Sequence, residues 1–267
     1  MWPTKYALPQ VLRHSGAGLE PALPQTRESE SAVEAEIARL KRQAAERAVE
    51  FVESGMVVGL GHGTTALFAI RRIGELLRKG QLRDILGVPC AIPVTAEAQR
   101  VGIPLTTLEE RPAVDLTIDG ADEVTAALEA IKGGGGALLH EKIVAQATRR
   151  EIIVVDDRKL TPVLGTRATV PVEVLSFGWR SQLAYLESLG ARVTVRGSGD
   201  GRPFRTEEGN LVLDCQFGPI AEPTKLAAQL EARAGVVGHG MFLGLITDAI
   251  VAGAGGLRHL KRGDPQA

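Results

Sequence analysis

Apolar residues at Val33, Ile37, Leu40, Ala44, Ala48 and Phe51 recur at helical spacing. They predict a helix over residues 32–53, closed by Gly55 as a C-terminal cap. "MVVGL" (56–60) is an apolar run of strand length. It leads into the tight turn "GHGTT" (61–65), and a second helical stripe follows through Leu67, Ile70, Ile73 and Leu77. "ILGVP" (85–89), "VDLTID" (114–119) and "IIVVD" (152–156) predict further strands with helices between them. Strands alternating with helices imply a parallel sheet covered on both faces. Functional loops then belong at the carboxyl ends of the strands, at residues 61–65, 119–123, 132–136 and 156–159.

After Gly165 the rhythm changes. "VPVEV" (170–174) alternates as a strand does, and Arg180 to Leu189 keeps helical spacing. "ARVTVR" (191–196) and "LVLDC" (211–215) are strands joined by a glycine-rich polar loop. Residues 224–234 read as a helix and "GVVGHGMF" as extended chain, giving the order β-α-β-β-α-β of a split, ferredoxin-like unit. "AIVAG" (249–253) is a last apolar strand able to rejoin the first sheet. The expected architecture is therefore α/β: a Rossmann-like parallel-sheet domain over residues 31–166 plus 244–260, with a smaller α+β domain inserted at 167–243. Residues 1–30 carry Pro3, Pro9, Pro21 and Pro24 without periodicity and are expected to be a disordered extension.

The chain of 267 residues has a formal net charge of −1, so no global field draws it to nucleic acid or membrane, and any anion site must be local. No apolar run approaches the roughly 20 residues of a membrane span. Cys90 and Cys215 lie far apart without metal-ligand spacing, which suits buried free thiols in a reducing compartment.

The chemistry concentrates at the expected strand ends. "VGLGHGTT" presents backbone N–H groups and the hydroxyls of Thr64 and Thr65 at a helix start, an arrangement that suits phosphate. It is not GxGxxG and lacks the lysine of a P-loop; an ordinary tight turn is the alternative. "TIDGADEV" (117–124) sets Asp119, Asp122 and Glu123 just past an apolar strand. These acids could hold a metal, cap a helix or accept hydrogen bonds from sugar hydroxyls, and the last reading uses them best, because the local set is short of ligands for a metal. "IKGGGGALLHEKIVA" (131–145) runs four glycines into an apolar-striped helix bearing Glu141, with Lys132 on the other side. A linker would be flanked by polar low-complexity sequence. "VVDDRK" ends another strand with Lys159. The bland readings are a Glu placed favourably near a helix N-terminus and lysines on a solvated surface. Together the loops suit a small polyhydroxy phosphate ester, with no nucleotide signature and no activated Ser or Cys.

"GHGTTA", "DGADEV", "KGGGGALLHEKIVA", "DDRKLTPVLG", "VPVEV", "GNLVLDCQF" and "GVVGHGMFLG" together resemble, in order and spacing, the A-type ribose-5-phosphate isomerases over about residues 36 to 256. The resemblance implies interconversion of ribose 5-phosphate and ribulose 5-phosphate through an enediolate, with no metal or organic cofactor. It implies Glu141 as general base and Lys132 as the cation near the developing oxyanion, with the N–H groups of Gly133, Gly134 and Gly135 beside it. Asp119 and Asp122 would hold sugar hydroxyls and assist ring opening. Lys41, Thr64 and Thr65 would grip the phosphate, with Lys159 in the same pocket and His62, Gly63, Gly120 and Ala121 in contact with substrate. It further implies a cytoplasmic homodimer or homotetramer whose partner is a sugar phosphate, not nucleic acid or membrane. His62 stands where the family usually has Thr, and His140 where an Arg is common. Two other functional classes compete with this one. A non-enzymatic sugar-phosphate sensor would want a separate DNA-binding module, for which residues 1–30 are too short. A dinucleotide-dependent oxidoreductase would want the third glycine and an acid about 20 residues on.

Overall fold

The computed structural model describes residues 25–263, with side chains from residue 31 onward. The disordered extension expected at residues 1–30 lies outside the described residues except for 25–30, which are helical. Among the described residues, 36–263 belong to one compact unit, and the sheets and the pocket below all lie in it.

Helix α1 (Gln25–Val49) starts earlier than its apolar stripe, because the first residues are polar and leave no periodic mark. It also ends earlier than expected. Phe51 and Val52 donate to Ala48 and Val49 in a tightened turn, and Gly55 enters the left-handed region at φ +89° beyond it. β1 (Val57–Leu60), α2 (Ala66–Arg78), β2 (Leu86–Pro89), α3 (Ile92–Val101) and β3 (Val114–Asp119) follow the apolar pattern. Two short strands, β4 (Glu123–Val124) and β5 (Ala130–Ile131), precede α4 (Leu138–Ala147) and β6 (Thr148–Asp156). A 3-10 turn (Asp157–Lys159) then leads to β7 (Val170–Val174), α5 (Arg180–Ser188), β8 (Arg192–Val195), β9 (Leu211–Gln216) and α6 (Pro223–Glu231). β10 (Val236–His239), β11 (Met241–Phe242), β12 (Asp248–Gly253) and β13 (Gly256–Lys261) complete the described chain.

The main sheet has the order β13-β12-β6-β3-β1-β2, parallel except for the antiparallel edge β13. Its parallel part is doubly wound, and the direction of winding reverses between β1 and β3. A ligand crevice opens at such a switch point, outside the carboxyl ends of the two strands. α1, α2 and α3 bury Ala44, Ala48, Ile70, Ile73 and Val94 over this sheet. Each fully buried Ile contributes about 1.5–3 kcal/mol relative to exposure. The second sheet, β10-β7-β9-β8, is antiparallel throughout and has the split β-α-β-β-α-β order read from the sequence.

Two features differ from expectation. β12 is not the last strand, since β13 pairs along its whole length as an exposed edge. A third sheet, β11-β5-β4, joins chain from both sides of the anticipated boundary at residue 243. The Lys132 N–H donates to Gly240 O, and the Gly240 N–H to Pro171 O, on the same seam. Residues 132–136 therefore leave this small sheet and not a strand of the main one.

Candidate active site

The loops after β1 and β3 meet at the switch point. The Gly61 N–H donates to Ile118 O, and the His62 N–H to Asp119 Oδ1 at 3.0 Å. A side chain at Gly61 would collide with the Asp119 carboxylate, so the glycine is what lets that acid sit under the turn. Gly63 adopts φ +112°, which favours glycine. Thr65 precedes α2 without capping it through its side chain; the Leu67 and Phe68 N–H groups fold back onto Gly63 O and Thr65 O, so the N–H groups left over at this helix start are those of Thr64, Thr65 and Ala66. Thr64 Oγ1 accepts from Lys41 Nζ at 2.8 Å, and Lys159 comes in from the 3-10 turn. The Lys41 pKa is lowered, first by burial and then by Arg158 and Lys159, against the pull of Asp156. Cations are thus crowded at this end, as an anion site requires.

The other end is drier. Lys132 is 1% exposed, yet its ammonium borders the pocket. It forms an ion pair with Asp119 Oδ2 at 2.8 Å and donates to Glu141 Oε1 at 3.1 Å and to Gly120 O. With three oxygens around it, Lys132 offers the pocket its charge more than a spare donor. Phe242 is fully buried beneath it, with Nζ 5.4 Å from the ring centroid. Burial opposes the charge on Lys132, but Asp119 and Glu141 outweigh it and hold its pKa above the ordinary lysine value. Glu141 points into the pocket from the first turn of α4 and is 4% exposed. Its Oε1 is fixed by Lys132, while its buried Oε2 has no hydrogen-bond partner among the described residues. Burial, opposed by Lys132 and helped by Asp119, pushes its pKa above the carboxylate range. A carboxylate with one oxygen anchored and one free, and a raised proton affinity, is equipped to take a proton from carbon.

Each glycine of the run meets either a close neighbour or a left-handed backbone that a side chain would not tolerate. Gly133 and Gly136 have φ +94° and +90°. A Cβ at Gly133 would meet Leu138, at Gly134 the Asp122 carboxylate, at Gly135 the His62 ring and at Gly136 the Phe204 ring. The Gly134 N–H donates to Asp122 Oδ2 at 2.8 Å. The helix after the run buries Leu138, Glu141, Val144 and Ala145, while Ile143 is exposed, so the acid lies on the core-facing side.

One crevice therefore collects Lys41, His62, Gly63, Thr64 and Thr65 with Gly120, Ala121 and Asp122, and closes on Lys132, Gly133, Gly134, Gly135, Glu141 and Lys159. Asp119 differs. It is buried behind Lys132, its Oδ1 taken by the His62 and Gly120 N–H groups and its Oδ2 by Lys132. Its position braces the two loops and the lysine, and it does not face a sugar. His140 turns away from the crevice toward Glu207 and Glu208. Sequence reasoning placed the hairpin between β8 and β9 but missed that it reaches the glycine loop, through Phe204 and through Arg196, a donor to Gly133 O and Gly134 O. The alternation of "RVTVR" marks Arg196 only as a polar strand end. Both cysteines are free and buried, as expected.

Comparison with known proteins identifies the family. The family model described as ribose 5-phosphate isomerase A (phosphoriboisomerase A) matches residues 86–256. Ribose-5-phosphate isomerase A of Chloroflexus aurantiacus is 57% identical over 224 residues, covering 84% of this chain and 94% of that one. Its counterpart from Gluconobacter oxydans is 48% identical, over 82% of this chain and 95% of that one. Among solved structures, a D-ribose-5-phosphate isomerase in complex with phospho-erythronic acid superposes with a TM-score of 0.83 at 35% identity, covering 85% of this chain and 99% of that one. Ribose 5-phosphate isomerase from Plasmodium falciparum gives 0.82 at 35% identity, with the same coverage.

Proposed function

The chain belongs to the ribose 5-phosphate isomerase A family, and from that premise we propose how its crevice carries out the reaction. The protein is an aldose–ketose isomerase that interconverts D-ribose 5-phosphate and D-ribulose 5-phosphate. The phosphate docks where Lys41, Thr64, Thr65, Lys159 and the start of α2 converge. Asp122, with the backbone of Gly120 and Ala121, holds the sugar hydroxyls. C1 and C2 then lie toward Glu141. Its free Oε2 removes the proton from one carbon and returns it to the other. Negative charge grows on the sugar oxygens during transfer, and a fixed cation with aimed N–H donors acts most strongly on charge that develops there. Lys132 and the glycine loop fill that role, while Asp119 keeps the Lys132 ammonium in place.

The observation that carries this reading is the split state of the Glu141 carboxylate, anchored at Oε1 by Lys132 and unpartnered at Oε2 in the same crevice. A protein that only sensed sugar phosphates would gain nothing from a buried, unpaired carboxylate oxygen. The reaction belongs to the non-oxidative branch of pentose phosphate metabolism. By likeness to the family we assign the protein to the cytoplasm, as a homodimer or homotetramer. Separately, among the described residues no helix is long and apolar enough to cross a membrane. Glu141→Gln tests the assignment. Turnover of ribose 5-phosphate is expected to fall at least ~10²-fold, the scale of a positioned general base, while phospho-erythronic acid still binds. Near-normal turnover in a folded variant would remove Glu141 from the mechanism.

A further inference from the structure

We propose that Arg196, at the end of a strand of the smaller antiparallel sheet and in a cavity that adjoins the crevice along Asp122, Gly134 and Lys159, is a positioning residue that aims the glycine-loop N–H groups at the reacting oxygens. The inference rests on the isomerase reading and adds a residue to it.

Arg196 follows β8 directly. Two edges of its guanidinium are tied to Asp214 of β9, Nε at 3.0 Å from Oδ2 and a second nitrogen on Oδ1. That fork fixes the plane of the group. The remaining nitrogen reaches across to the glycine run, donating to Gly133 O at 2.8 Å and Gly134 O at 3.2 Å. Both carbonyls are thus turned toward the same cation.

A trans peptide is planar, with C=O and N–H directed oppositely. Holding Gly133 O on Arg196 sends the Gly134 N–H the other way, and it is found on Asp122 Oδ2 at 2.8 Å, inside the crevice. By the same geometry the Gly134 carbonyl on Arg196 sends the Gly135 N–H to the crevice side. Gly135 stands there against the His62 ring, and its N–H has no protein partner among the described residues. The Gly136 N–H also donates to Gly133 O at 3.0 Å and helps hold the first peptide, but Gly134 O has Arg196 as its one partner among the described residues, and glycine itself takes either sign of φ at little cost. A rotated peptide would present a carbonyl oxygen where negative charge develops and would oppose the reaction. Arg196 also polarises both peptides, which strengthens their N–H groups as donors. Asp214 positions the arginine and Arg196 positions the loop.

The alternative is that the Arg196–Asp214 pair merely ties β8 to β9, and kinetics separates the two. An interaction that matters only when charge develops lowers kcat and leaves KM nearly unchanged. Loss of one oxyanion donor costs about 10²–10³ in kcat, and an indirect loss should cost less. For Arg196→Met we expect kcat to fall ~10–10²-fold, KM to change less than about threefold, and millimolar guanidinium to restore part of the rate. Arg196→Lys keeps the charge but not the fork and is expected to fall between, which keeps the test open if the Met variant folds poorly. The Gly135 amide resonance, recorded with phospho-erythronic acid bound, should move in Arg196→Lys. Unchanged kcat in a folded variant, or a loss that tracks only the unfolded fraction and is not rescued by guanidinium, would overturn the proposal. Neither result would touch Glu141, whose failure would appear in Glu141→Gln alone.

Discussion

Glu141 on α4 and Glu151 on β6 are two buried glutamates on the same face of the main sheet, and only one has company. Glu151 lies opposite Thr117 in the β3–β6 register. Asp119, two residues along β3, faces the same way, and α4 covers this face, since the space beside Gly59 is filled by both Thr117 and Val144. Both carboxyls are shifted upward in pKa, burial first, and each is raised further by the charge of Asp119. Glu141 touches Lys132 and opens on the crevice. Glu151 is 1% exposed, and neither of its oxygens has a partner among the described residues. Burial alone gives a carboxyl that holds its proton. A cation on one oxygen and an opening on the other make it a base. The contrast can be broken at the cation, at the lone acid, or through pH.

The largest effect is expected at the cation. Lys132→Met leaves Asp119 and Glu141 facing each other without compensation in a dry site. Removing one partner of a buried ion pair typically destabilises by about 3–5 kcal/mol. The charge beside the developing oxyanion is lost too, so turnover should fall at least ~10²-fold even in the fraction that folds. Denaturant melts and turnover per folded molecule check the two halves separately. A stable, active Lys132→Met would show that Glu141 does not depend on its neighbour.

How much of this contrast could be read from the sequence depends on how local each arrangement is. Lys132, the glycines and Glu141 fall within one short stretch, and the turns at 61–65 and 119–122 follow apolar strands, so the crevice lining was legible from strand ends alone. Asp119 was legible as a site residue but not in its direction, because alternation within β3 does not say which acid turns under the loop. Glu151 was not legible: "RREII" reads as a polar lead into a strand, yet the strand begins at Thr148 and its fourth residue is already core. Glu173 misleads in the same way. The alternation of "VPVEV" points it to solvent, whereas all five residues are buried and Glu173 accepts from Thr206 and Asn210. β13 escaped because an exposed edge strand has no face to pattern, and β4, β5 and β11 because two residues carry no period. Arg196 acts through backbone carbonyls, and its targets are glycines far away in the chain.

A smaller effect, of opposite sign, is expected at the lone acid. Glu151→Met replaces a buried group without partners by an apolar one of similar length. Leaving a buried polar group unsatisfied costs about 1–3 kcal/mol, and the substitution should return an amount of that order as a higher denaturation midpoint with an unchanged m-value. Turnover should stay within about threefold of the wild type, because Glu151 does not line the crevice. A destabilised Glu151→Met would mean that the acid is held by bridging water, and the two glutamates would then be more alike than their protein contacts suggest.

The smallest effect is a change in slope. The Glu151 carboxyl titrates near 4.3 in an unfolded chain and well above that when folded. Between those values the folded protein holds a proton that the unfolded chain has released, so stability falls as pH rises. Its contribution is complete below the unfolded value and is lost as pH climbs to the folded one. Glu141 is raised as well and adds a slope of the same sign. His239 works against both. Burial and then Lys142 lower its pKa to about 4, so the unfolded chain takes up a proton first and stability rises with pH toward the ordinary His value. Asp248 is held down at about 2 by Arg150, Thr247 and His259 against its burial, and its contribution is lost only in acid below this window. The total curve therefore mixes signs, and the difference between the wild type and Glu151→Gln isolates one acid. Between about pH 5 and 7 the wild type should lose stability relative to the variant by up to ~1.4 kcal/mol per pH unit, the limit for one proton. Urea unfolding of both proteins across that range measures it. Parallel curves would mean that Glu151 is ionised in the folded protein, and the distinction between a lone acid and a base made by its cation would lose its second half.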